Sequence, residues 1–116
     1  MSDVTSADLS ALTQWDTPTI CNGLELVTPE RRAIGFTTEQ MACLDPQLAP
    51  IVGYARTATV RAVTAPTTDR EQIMAQRAGY YEHIAESPGP TVSVIQDLDP
   101  HPGFGAFWGE VNTTVH

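Results

Sequence analysis

The pattern between Ile51 and Leu98 most limits what this chain can fold into. Thr57, Thr59, Arg61 and Val63 alternate with Ala58, Val60, Ala62 and Thr64, and β-branched side chains dominate, so a strand is predicted over 51–65. Small alanines on one of its faces predict close packing against another layer. Thr68 and Glu71 stand three apart just before apolar residues begin, the spacing of a capping box at a helix start. Ile73, Met74, Ala78, Tyr81, Ile84 and Ala85 line one side of that helix, and Pro88-Gly89-Pro90 stops it near Ser87. Thr91 to Leu98 reads as a second strand, and its run of Val92, Val94 and Ile95 fits a strand covered on both faces. Strand, helix and strand make a βαβ unit, and the fold class is α/β.

Before this unit the signals are helical. Thr5 can cap a helix running to Trp15, with Asp8 in its first turn and Leu9, Leu12 and Trp15 on one side. Asp16-Thr17-Pro18 places a second cap before a proline at the helix start, and Ile20, Leu24 and Val27 carry the helix to about Leu26. From Thr28 to Pro50 turn-formers are common, and the segment reads as a connection holding one short strand, Gly35 to Thr38.

The 116 residues are expected to form a single domain, 1–116, with 41% hydrophobic and 17% charged residues. The net charge is −8 and all six cationic residues are arginine. That balance argues against a nucleic-acid partner, which needs many basic contacts to phosphates. A chain without lysine forms no lysine Schiff base. No apolar run is long enough for a membrane span, and Met1-Ser2-Asp3-Val4 lacks signal character, so a cytoplasmic protein with no membrane partner is expected. Cys21 and Cys43 fit no CxxC spacing and read as two buried, reduced thiols rather than a metal or redox pair.

Chemistry concentrates after the second strand. Gly103, Gly105 and Gly109 space a loop that runs into a helix beginning at Glu110, at the strand's carboxyl end, where α/β sheets bind ligands. The backbone N–H groups of Gly109, Glu110, Val111 and Asn112 would seat a carboxylate or phosphate. Glu110 could act as a general base or hold a water; alternatively, it only complements the helix dipole. Asp97, Asp99 and His101 alternate and could bind a divalent cation, or they serve as turn chemistry. His83 reads as surface or half-buried. Arg56 and Arg61 differ in parity, and one of them could pair with an acid or bind an anion. Phe107 and Trp108 read as packing residues. No Ser-His-Asp order, HExxH or Walker pattern is present.

Four stretches carry a family resemblance. They are Thr17-Pro18-Thr19-Ile20-Cys21-Asn22-Gly23-Leu24, Gly53-Tyr54-Ala55-Arg56-Thr57-Ala58-Thr59-Val60, Pro88-Gly89-Pro90-Thr91-Val92-Ser93-Val94-Ile95 and Gly105-Ala106-Phe107-Trp108-Gly109-Glu110-Val111-Asn112. In this order they resemble the RraA-like family of 4-hydroxy-4-methyl-2-oxoglutarate aldolases, regulators of ribonuclease E activity and proteins called demethylmenaquinone methyltransferases. The resemblance implies a layered, swivelling β/β/α domain assembled as a homotrimer or hexamer. It implies lysine-independent, class II-type cleavage of 4-hydroxy-2-oxo acids to pyruvate, or of oxaloacetate to pyruvate and CO2. A divalent Mg²⁺ or Mn²⁺ would polarise the 2-oxo group of that small substrate. Gly109, Glu110, Val111 and Asn112 would then bind the substrate, with Glu110 catalytic where the aldolases usually carry aspartate. The family's Arg-Asp pair, which includes its metal ligand, falls beyond His116, so the domain is expected to be incomplete at the C-terminus. The alternatives are a non-catalytic, protein-binding regulator with an acidic surface, or an inactive fragment.

Overall fold

The computed structural model describes residues 3–116; Met1 and Ser2, the start of the segment read as lacking signal character, lie outside the described residues. The architecture is mixed α/β, and the chain divides into two compact units, Met1–Val52 and Gly53–His116. Among the described residues no helix is long and apolar enough to cross a membrane.

In the first unit, α1 spans Ser6–Leu12. Thr5 caps it reciprocally: its N–H donates to Asp8 Oδ2 at 2.8 Å and its Oγ1 accepts from Asp8 N–H at 3.2 Å. The helix stops short of the predicted Trp15. Leu9 is buried, whereas Trp15 is exposed. Helix α2 spans Thr17–Val27, with Asp16 Oδ1 accepting from Thr19 N–H at 2.9 Å and proline in the first turn. A 3₁₀ turn, Pro29–Arg31, follows. The strand expected over Gly35 to Thr38 is corrected to irregular chain: Ala33 and Gly35 take φ of 61° and 79°, which bend the backbone out of extension. Cys21 and Cys43 are free thiols but exposed, not buried. The apolar spacing of α2 misled here, because no residue of that helix is buried.

The second unit carries the βαβ pattern. Strand β1 spans Tyr54–Val60, α3 Arg70–Ala85 and β2 Thr91–Asp97, and a short α4, Glu110–Val115, follows. The strands pair in parallel, from Tyr54 opposite Thr91 to Val60 opposite Asp97. The first strand is much shorter than 51–65, since pairing ends where β2 does. Gly53 sits at a close approach of the two strand starts: a Cβ there would lie 2.6 Å from the Pro90 carbonyl oxygen. Alternation is clean on β1, where Tyr54, Arg56, Ala58 and Val60 are half-buried and Ala55, Thr57 and Thr59 exposed.

Helix α3 packs on β1. Its cap is Asp69, not Thr68: Asp69 is extended and its Oδ1 accepts from Gln72 N–H at 2.8 Å. An aspartate one residue later offers the stronger, charged acceptor. The inward side consists of Ile73, Tyr80, Tyr81, His83 and Ile84, with Ile84 buried, while Met74, Ala78 and Ala85 are exposed. His83 is half-buried with Nε2 lacking a hydrogen-bond partner, and Arg56 Nε on β1 is likewise enclosed without one. The expectation that β2 is covered on both faces is corrected, since Val94 is 46% exposed. Its apolar run reflects β-propensity as much as burial.

Candidate functional site

The loop from β2 to α4 is anchored by two aspartates. Asp99 is 6% exposed, and its Oδ2 accepts from Ala62 N–H at 2.7 Å and Val63 N–H at 3.0 Å. It thus stitches the exit of β2 to the exit of β1. Asp97 Oδ1 accepts from Asp99 N–H at 2.9 Å and its Oδ2 from Gly103 N–H at 2.7 Å. Both carboxylates are therefore engaged in strand-end turn chemistry, and His101 is exposed. Gly105 completes the seat, because a Cβ there would overlap the Ala62 methyl.

The bonds from Asp99 N–H first, and from Gly103 N–H second, hold the Asp97 carboxyl below the usual carboxylate range. A carboxyl whose folded pKa is depressed stabilises fully above its unfolded value and loses that contribution as pH falls through the lowered one. The Gly103 amide is accordingly expected to stay bonded at neutral pH and to release only in acid, below the range in which an ordinary aspartate titrates. An NMR titration following the Asp97 carboxyl and Gly103 N–H checks this. A midpoint at or above that of an ordinary aspartate would contradict it.

At the far end of the loop Gly109 is extended, at φ −159° and ψ −176°, and supplies no capping side chain. The N–H groups of Glu110, Val111 and Asn112 open α4 without a partner among the described residues. Gly109 and Glu110 are exposed, and the space a Gly109 Cβ would occupy is open. Val111 is exposed as well. The Asn112 side chain is already committed: Nδ2 donates to the Phe107 carbonyl and Oδ1 accepts from the Tyr81 hydroxyl at 3.1 Å. Of this residue only the backbone amide is left for a ligand.

The loop and α3 also share an aromatic cluster. Phe107 meets Tyr80 edge-on, with centroids 5.8 Å apart, and Trp108 packs edge-on against Phe107 at 5.3 Å. The His116 ring bonds both the Tyr80 hydroxyl and the Asn112 carbonyl. Burial, and then the neighbouring Tyr81, raises the Tyr80 pKa, so its phenol stays neutral at physiological pH. Phe107 packs within this cluster, as read from the sequence, whereas Trp108, though against Phe107, is 48% exposed.

Between this cluster and the sheet lies a groove of about 580 Å³. Ala58, Thr59, Val60 and Ile95 contribute from the strands, Ile73, Gln76, Arg77, Tyr80 and Tyr81 from α3, and Ala106, Phe107, Val111 and Asn112 from the loop and α4. Arg77 was missed as a site residue. The signal was present in Ile73, Arg77, Tyr80 and Tyr81, which recur at i, i+4, i+7 and i+8 on one helix face. Compared with family models, curated proteins and solved structures, the chain matches none.

Proposed function

We propose that the chain belongs to the RraA-like family and takes part in cleaving small 2-oxo acids to pyruvate, as an aldolase or oxaloacetate decarboxylase. The layered swivelling domain, the cytoplasmic setting and a homotrimer or hexamer are part of the same reading. The observation that carries it is the uncapped start of α4: three N–H groups without a partner among the described residues, beside an extended glycine, on the loop that leaves the carboxyl end of β2. Such amides suit the carboxylate of a 2-oxo acid. Glu110, whose own N–H is part of the seat, is exposed and can take or return a proton on the substrate.

The divalent ion implied by the resemblance finds no ligand set here. Among the described residues no group of three His, Cys, Asp or Glu comes together, and Asp97 and Asp99 are already satisfied by backbone N–H groups. No step is therefore assigned to a metal. The chain's own contribution is the anion seat and Glu110.

Pyruvate release from oxaloacetate and from 4-hydroxy-4-methyl-2-oxoglutarate, measured with and without added Mg²⁺, tests the reading. Release is expected even without Mg²⁺, because the contribution assigned to this chain is the anion seat and Glu110 alone, and Glu110→Gln is expected to lower it roughly a hundredfold. Absence of turnover, together with unmoved Gly109 to Asn112 amide resonances on adding pyruvate, would overturn it. A protein-binding role is the second reading. It is favoured by a net charge of −8 and by exposed apolar side chains such as Leu26, Phe36 and Phe104.

A further inference from the structure

The groove between the sheet, α3 and the loop adjoins the anion seat, sharing Val111 and Asn112 with it, but neither Gly109 nor Glu110 lines it. Its polar groups can be accounted for one by one. The Tyr81 hydroxyl is spent on Asn112, the Asn112 amide on Phe107, and the Tyr80 hydroxyl on His116. What remains unbonded at its α3 wall is the Arg77 guanidinium, with Gln76 beside it; no described residue pairs with Arg77. The strand floor is mainly apolar, Ala58, Val60 and Ile95, with Thr59 adding a hydroxyl that no described residue bonds. A volume of about 580 Å³ is that of a small-molecule site, and such sites combine apolar walls with a few placed polar groups.

We propose that this groove binds a monocarboxylate carried on an aromatic ring, the ring lying on the strand floor beside Tyr80 and Phe107 and the carboxylate meeting the Arg77 fork. A carboxylate is chosen over a phosphate for two reasons. One guanidinium matches one carboxylate bidentately, and no second cation lines the groove to neutralise a dianion. In addition, a chain of net charge −8 repels a dianion more than a monoanion. The apolar floor likewise separates this ligand from small, fully polar 2-oxo acids.

The test uses 3-phenylpropionate and its neutral isostere 3-phenylpropionamide, with methyl NMR of the intact chain as readout. The carboxylate is expected to move the Ala58, Ile95 and Val111 methyls, and the amide to bind roughly tenfold more weakly. Arg77→Gln, an exposed substitution, is expected to remove that difference. Arg77→Lys keeps the charge and should keep a reduced preference. Three results would each overturn the proposal: no methyl shifts at millimolar probe, equal binding of acid and amide by the unsubstituted chain, or an acid preference that survives in Arg77→Gln. Methyl shifts that appear on raising protein concentration without probe would also overturn it, by assigning the groove to a second copy of the chain. Because Val111 and Asn112 serve both places, the two are read separately through Arg77→Gln, which is expected to remove the acid preference while leaving pyruvate-induced shifts of the Gly109 and Glu110 amides unchanged.

Discussion

Asp99→Ala is expected to be among the most damaging single substitutions in the second unit. Its carboxylate, 6% exposed, holds two backbone N–H groups from Ala62 and Val63. Bonds to a charged group contribute about 1.5–3 kcal/mol each, and a buried donor left unpaired costs its desolvation as well. A loss of about 3–5 kcal/mol is expected for the alanine variant. Asp99→Asn keeps one acceptor oxygen in place and should lose about half of that. Hydrogen exchange of the β1–β2 ladder amides reads the effect locally, without requiring the whole chain to unfold in one step. If the ladder amides exchange at unchanged rates in Asp99→Ala, the stitch between the two strand exits carries no stability.

The second large effect is expected from Gly53→Ala. The added methyl would lie 2.6 Å from the Pro90 carbonyl oxygen and 2.9 Å from the carbonyl carbons of Pro90 and Thr91. These are backbone atoms, so the clash cannot be relieved by rotating a side chain. Relief requires separating β1 from β2 at their first rung, where Tyr54 N–H donates to Pro90 O at 2.9 Å. Overpacking of this kind costs about 1–3 kcal/mol, and the upper end is expected here. Urea unfolding followed by circular dichroism should show the midpoint fall, with the amides of Tyr54 to Arg56 losing protection first. An unchanged midpoint would mean that the strands begin pairing beyond Gly53.

Both effects sit outside the residues proposed to bind substrate, yet both bear on them. The amides opening α4 are held at the end of a loop whose base is fixed by Asp97, Asp99 and the close approach of Gly105 to Ala62. Release of that base would let the loop move relative to β2, and with it the seat. The start of α4, proposed to bind substrate, is thus coupled to the strand exits through the Asp97 and Asp99 carboxylates.

Legibility divides along the distance over which each interaction acts. Thr5 with Asp8, Asp16 with Thr19 and the proline in the first turn of α2 are contacts within three residues, and all were readable as helix starts. The βαβ order was readable too, because a period of two followed by a period near 3.6 is a property of neighbours. Boundaries were less so. The cap of α3 moved one residue to Asp69, and β1 ended at Val60 because a strand extends only as far as its partner. The glycine loop and helix start pointed to the amides of Gly109 to Asn112, the resemblance added a substrate to them, and for Asn112 the structure leaves only the backbone amide free.

By itself, the sequence determined the helix starts, the strand–helix–strand order, the lysine-free acidic surface and the glycine loop leading into Glu110. Only the tertiary structure decided that Asp99 serves Ala62 and Val63, that Asn112 serves Tyr81 and Phe107, and that Arg77 faces a groove with no acid beside it. Those partners lie on other elements, most of them more than thirty residues apart, as Asp99 is from Ala62 and Val63. Hydrogen-bond capacity is written in a residue's type, but its partner is set by which backbones the fold brings together.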